Sequence, residues 1–137
     1  MRYPMLGSMA ALACAGVAMQ AQAQDRAAIP GVIRQQIEAF GAGDVDTAWG
    51  LASPGIQQLF GTPGAFSRLV QEGYPMLWQP GAIRFGGVTG EDGQPVQRVF
   101  VSGAGGAVHV LDYLMERVDG AWRIAGVRYV DQPDLSA

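Results

Sequence analysis

Two hydrophobic periods divide the chain. Up to about residue 78, apolar residues recur every three or four positions, the period of a helix with one buried face. From Ala82 onward they alternate with polar residues, the period of a strand with one buried face. In "DRAAIPGVIRQQIEAFGAG", Ile29, Ile33, Ile37 and Phe40 form one stripe, Pro30 stands near the first turn, and Gly41 and Gly43 end the helix. "DVDTAWGLAS" restarts with Asp44 as N-cap, and Val45, Ala48, Trp49 and Ala52 repeat the spacing.

The next segment, "SPGIQQLFGTPGAFSRLVQEG", carries the same device twice: a hydroxyl residue, Pro-Gly, an apolar-patterned run, and a glycine. Ser53 and Thr62 are N-cap candidates, because their hydroxyl oxygens can accept from N–H groups left unpaired in the first turn. Pro54 and Pro63 fall at the first helical position, and Gly61 and Gly73 are expected as left-handed stops. Ile56, Leu59 and Phe60 share one face, and Phe66, Leu69 and Val70 another. The prediction is two short helices at a bend, apolar faces inward. In "YPMLWQPGAIRF", Pro75 and Pro80 forbid a continuous helix, so an extended crossover carrying Tyr74, Met76, Leu77 and Trp78 is expected.

The period-two runs "AIRFGGVTG", "QPVQRVFVSG", "AVHVLDYLMERVD" and "AWRIAGVRYVD" are separated by short glycine-bearing connections. They predict a meander of about four antiparallel strands joined by hairpins. Helices followed by strands define an α+β fold, with the N-terminal helices packed on one sheet face. In the third run His109, Leu111, Tyr113 and Met115 share a face, opposite Val110, Asp112, Leu114 and Glu116. In the fourth, Trp122, Ile124, Gly126 and Arg128 share one, opposite Arg123, Ala125, Val127 and Tyr129. Alternation alone does not choose the buried face.

Residues 1–23 change the picture of where the chain works. Arg2 precedes an uncharged apolar run, Met5 to Met19, too short for a comfortable span, and Ala21-Gln22-Ala23 offers a small-x-small site. Cleavage before Gln24 is expected, leaving a domain over 24–131, a flexible polar tail over 132–137, and no stable membrane span. The expected location is the periplasm or outside the cell. A lipid-bearing Cys14 fits poorly, since Leu12 sits one place too late. Cys14 is the only cysteine, so the mature chain would hold neither disulfide nor thiolate.

Charge excludes several chemistries. All nine basic residues are arginine, and loss of Arg2 takes the formal charge from −3 to −4. No basic stripe exists to neutralise phosphates, so nucleic acid is not an expected partner. Without lysine there is no Schiff base. The doublet lacks the first glycine of a nucleophile elbow and the lysine of a phosphate cradle. One histidine and no mature cysteine make neither a zinc site nor any other metal centre, and no cofactor motif is present. His109, the one imidazole, and Asp112 are three apart in a strand and so face opposite ways. The carboxylates fall mainly at caps, turns and the tail, with no pair that must converge.

The ordered series "VIRQQIEAF", "LASPGIQQLFG", "FSRLVQEGYP", "VQRVFV", "YLMER" and "GAWRIAGV", across residues 29–131, resembles the domain of unknown function numbered 4864. That family lies in the nuclear transport factor 2-like (SnoaL-like) superfamily. The resemblance implies a cone: a curled antiparallel sheet wrapped on helices around an apolar pocket. It implies no catalytic residue, because the superfamily's isomerase pattern needs an inward Asp beside a Tyr, and Asp112 should point away from Tyr113.

Three functions follow from this reading. The first is an exported small-molecule-binding or interaction module without established catalysis, with Tyr74, Trp78, His109, Tyr113 and Met115 lining or lidding a pocket for a small apolar ligand. The second is a SnoaL- or ketosteroid-isomerase-like enzyme using His109 or Asp112 with a tyrosine such as Tyr113. The third is a structural module that forms homodimers through its outer sheet face.

Overall fold

The computed structural model describes residues 25–90 and 94–130. The leader with Cys14, the turn residues Glu91 and Asp92, and the tail with Asp131 and Asp134 lie outside the described residues.

Among the described residues, helices come first and a four-stranded sheet follows. Helix α1 (Ile29–Gly41) buries Ile29, Ile33, Ile37 and Phe40, the stripe set by its sequence, with Pro30 in the first turn. It ends on Gly43, whose φ of 73° turns the chain back so that Gly43 N–H reaches Phe40 O at 3.1 Å and Asp44 N–H reaches Ala39 O at 2.8 Å. These two bonds satisfy carbonyls that the helix end would otherwise strand. Asp44 then caps α2 (Val45–Gly50), accepting from Thr47 N at 3.2 Å and from Thr47 Oγ1 at 2.6 Å. Those bonds, the side-chain one foremost, hold its carboxyl below the ordinary range.

The doublet forms helices α3 (Pro54–Phe60) and α4 (Pro63–Gly73). Ser53 Oγ accepts from Ile56 N at 3.3 Å and Thr62 Oγ1 from Ala65 N at 3.1 Å, so both hydroxyls are caps. Gly61 is left-handed with φ of 80°, but Gly73 is not, in contrast to the expectation. The stop at α4 comes from Pro75, which forces Tyr74 before it into an extended φ of −139°. The following stretch also differs from the expected extended crossover. Residues Pro75–Trp78 form a one-turn helix, α5, because a proline is compatible with a first turn and Pro80 lies just beyond the last one.

Strands β1 (Ile83–Thr89), β2 (Val96–Ser102), β3 (Val108–Val118) and β4 (Ala121–Tyr129) pair antiparallel in chain order. The β3–β4 turn is the two residues Asp119 and Gly120, both at positive φ (52° and 80°), the geometry that matches the twist of a tight hairpin. One extra residue sits in β1 between Phe85 and Val88. Another sits in β4, where Leu114 pairs with Gly126 but Met115 with Ile124, leaving Ala125 over. Such bulges bend a strand and increase its twist, and these two curl the sheet at both edges.

The β4 bulge corrects strict alternation. Val127 and Tyr129 pair with Tyr113 and Leu111, and so join Ile124 and Trp122 on the concave face. Gly126 and Arg128 go to the convex face, where Arg128 pairs in register with Asp112. The concave face is the buried one: Val99, Val101, Leu111, Tyr113 and Met115 are sealed under the helices, with α1 and α3 against β4 and α5 against β2. Full burial of each such side chain contributes about 1.5–3 kcal/mol. The turn before α3 is stitched to the free edge of β4 by Ser53 N–H to Ile124 O (2.8 Å) and Ile124 N–H to Leu51 O (2.9 Å).

Candidate ligand pocket

The doublet helices are too short to bury their own apolar faces. Helix α3 has seven residues, its proline included, before its glycine stop, and none of them is fully buried. Its Ile56 and Phe60, with Phe66 and Val70 of α4, instead wall a hollow of about 190 Å³ whose other sides are α1 and β4. Leu59 and Leu69 also border it and are 74% and 44% exposed, so the rim itself is apolar. Phe66 is central, with the rings of Phe40, Trp49 and Phe60 at 5.8, 5.6 and 5.9 Å, spacings typical of favourable aromatic pairs. Ile124 and Val127 form the β4 side, and Val127 faces inward only because of the bulge at Ala125.

Two polar side chains border the hollow. Gln36, in α1, is 2% exposed and donates from Nε2 to Ala48 O at 3.0 Å. Tyr74, at the α4–α5 junction, donates its hydroxyl proton to Val127 O at 3.0 Å, and its ring stacks on Tyr129 at 4.8 Å and 9°. Tyr129 in turn donates to Gly73 O, fixing the junction to the sheet edge. Among the described residues, the lining holds no carboxylate, imidazole or guanidinium.

Of the five residues expected to form a pocket, Tyr74 borders this hollow. The structure places the other four elsewhere. Trp78 stacks on Phe40 at 5.5 Å and 29° and is not part of the lining. His109 lies at the start of β3 against Gly103, where an added Cβ would stand 3.2 Å from Nε2. Tyr113 and Met115 are wholly enclosed, in the layer where the strand face meets the helices. Large side chains at the middle of a concave strand make the densest contacts and leave no space around themselves. The hollow forms instead where two short helices diverge from the sheet edge.

His109, Asp112 and Tyr113 do not converge. Asp112 is on the convex face, held by Arg98 through Nε to Oδ1 at 3.0 Å and Nη2 to Oδ2 at 3.1 Å, with Arg128 Nη2 at 3.9 Å. The pair raises the Arg98 guanidinium above its ordinary value, by hydrogen bonding first and charge second. His109 and Tyr113 share the concave face but stand four residues apart, roughly 13 Å along a strand. The Tyr113 phenol is fully buried; desolvation first, and the neighbouring Tyr74 second, push its ionisation well above the ordinary tyrosine value. Among the described residues its hydroxyl has no hydrogen-bond partner, and neither does Oε1 of Gln97, its cross-strand neighbour. Gln97 spends Nε2 on Gly86 O and Arg98 O.

Sequence reasoning passed over Gln36. The available signal was its place within the apolar stripe, three after Ile33 and four before Phe40, where a polar residue must face the interior. Among the described residues, no group of three or more His, Cys, Asp or Glu could hold a metal ion, and no helix is long and apolar enough to cross a membrane.

A helical layer on a four-stranded meander, with an apolar hollow at one edge, thus defines the class of protein. The chain belongs to the family described as Domain of unknown function (DUF4864), matching it over residues 22–137. It is also similar to the crystal structure, at 1.70 Å resolution, of an NTF-2-like protein of unknown function from Shewanella oneidensis MR-1. The two are 20% identical over 75% of this chain and 96% of that one, with a TM-score of 0.48. No curated protein matches the chain.

Proposed function

We propose that the protein is an exported small-molecule-binding module of the nuclear transport factor 2-like type, holding a small apolar ligand without transforming it. In this reading residues 1–23 are removed on export and residues 24–131 form the module. The observation that carries the proposal is the hollow itself: aromatic and aliphatic walls, an open apolar rim at Leu59 and Leu69, and two polar side chains, neither of them charged. Apolar pockets with a few placed polar groups are the usual form of a ligand site. The groups available for proton transfer elsewhere, His109 and Asp112, lie away from it, on different faces of β3.

Native mass spectrometry of the protein isolated from the periplasm tests this reading and reports the subunit count. The expected result is a chain beginning at Gln24 with an added small mass that is lost on gentle activation. A chain that retains residues 1–23 would overturn the export assignment. Failure to retain any apolar compound, either from the cell or after incubation with a small aromatic library, would overturn the binding assignment.

A further inference from the structure

The two polar side chains at the hollow have something in common: each already donates to a backbone carbonyl and keeps an oxygen that accepts nothing from the described residues. Ala48 O can only accept, so the nitrogen end of the Gln36 amide is fixed on it through one of its two N–H groups, which sets where the amide oxygen lies. Gln36 Oε1 makes no hydrogen bond with the described residues. Unlike Gln97 Oε1 and the Tyr113 hydroxyl, it is not sealed away from a water-sized visitor. Tyr74 has a single hydroxyl proton, which goes to Val127 O. Its phenolic oxygen can still accept.

We infer that this pocket selects a neutral, single-ring compound bearing a hydrogen-bond donor, a phenol or aryl amine, received by Gln36 Oε1 and the Tyr74 hydroxyl oxygen. The inference rests on reading the hollow as a binding site and adds the chemistry of its occupant. Size sets the ring. A dry apolar cavity of about 150 Å³ accepts benzene, and a hollow of about 190 Å³ adds room for one or two substituent atoms. The walls of Phe40, Phe60 and Phe66 suit the flat, polarisable faces of an aromatic ring. Polarity sets the substituent. Two acceptor side chains leave a ligand hydroxyl or N–H satisfied. A carboxylate would bring a full negative charge into an apolar site with no cation beside it.

Four probes on the intact mature protein test this: 4-methylphenol, toluene, 4-methylanisole and 4-methylbenzoate, with dissociation constants taken from amide chemical-shift titrations. 4-Methylphenol should bind about three- to tenfold more tightly than toluene or 4-methylanisole, the worth of one net hydrogen bond, and 4-methylbenzoate should bind most weakly. Gln36→Met should bring 4-methylphenol to within twofold of toluene. Should that variant not fold, the series on the unaltered protein decides. Toluene or 4-methylanisole binding as tightly as 4-methylphenol overturns the donor selection and leaves the pocket standing. A phenol advantage that survives in Gln36→Met overturns the role of Gln36. If none of the four binds, the pocket reading falls as well.

Discussion

Tyr113→Phe should stabilise the protein, although it removes a polar group from the middle of the central strand. The Tyr113 side chain is fully enclosed and its hydroxyl has no partner. In the unfolded chain that hydroxyl is hydrated, so folding strips it of water and returns nothing, at a cost of about 1–3 kcal/mol. Deleting the oxygen leaves a void on the order of 10 Å³, which at ~24 cal/mol per Å³ costs only about 0.2 kcal/mol. The ring and its packing remain. The net expectation is a gain of at least about 1 kcal/mol, equivalent to a rise of roughly 4 °C in the midpoint for a domain of this length. Urea unfolding followed by tryptophan fluorescence should show a higher midpoint at an unchanged slope. A variant less stable than the parent by 1 kcal/mol or more would refute the reasoning. It would mean that the hydroxyl has a partner, such as a water held between it and Gln97 Oε1.

The remaining predictions concern ionisation, caps and the convex face. Because the folded state keeps the Tyr113 phenol protonated above its ordinary value, its contribution is intact below about pH 10, where unfolded tyrosine begins to ionise. Above that, stability should fall by up to about 1.4 kcal/mol per pH unit as the unfolded state sheds a proton that the native state retains. Tyr129, shifted the same way by burial, adds to the loss, so the flatter alkaline profile expected of Tyr113→Phe in urea midpoints isolates the buried group. Ser53→Ala should lower stability by about 1 kcal/mol through loss of the α3 cap, measured by thermal unfolding. Asp112→Asn should cost about 1 kcal/mol, since half-exposed Arg98 shares in solvent screening. The difference should shrink in high salt, with probe binding at the concave side unchanged.

Much of the fold could be read from the chain because its signals are local. The α1 stripe, the caps at Asp44, Ser53 and Thr62, and the Asp119-Gly120 turn each act within a few residues, and each occupies the place its pattern implies. What escaped were features set by tertiary context. Nothing in "RIAGVRY" announces that Ala125 is the unpaired residue; that follows from how β4 must bend to meet the chain at Leu51–Ser53. Pro75 reads as a breaker, yet a first turn accommodates it, so one helical turn stands where an extended run was expected. The place of the hollow follows from packing as well. Bulk and aromaticity suit a pocket wall and a packed core equally, and Tyr113 and Met115, both wholly enclosed, complete the packing. The hollow borders the segments least able to pack, the seven-residue α3 and the inner face of α4.

The surplus residue at Ala125 works like a change of reading frame for side chains. Every position beyond it in β4 swaps sides, which sends Arg128 out to the acid on the convex face and brings Val127 and Tyr129 in to meet Tyr74. Excising that one small residue would leave every later residue opposite its present β3 partner and on its present face, and what would go is the local bend that carries β4 past the hollow. The shape of the hollow thus depends on the count of residues in a strand as much as on their identity, and a deletion at this point should alter the curvature of that wall while leaving both faces of the sheet as they are.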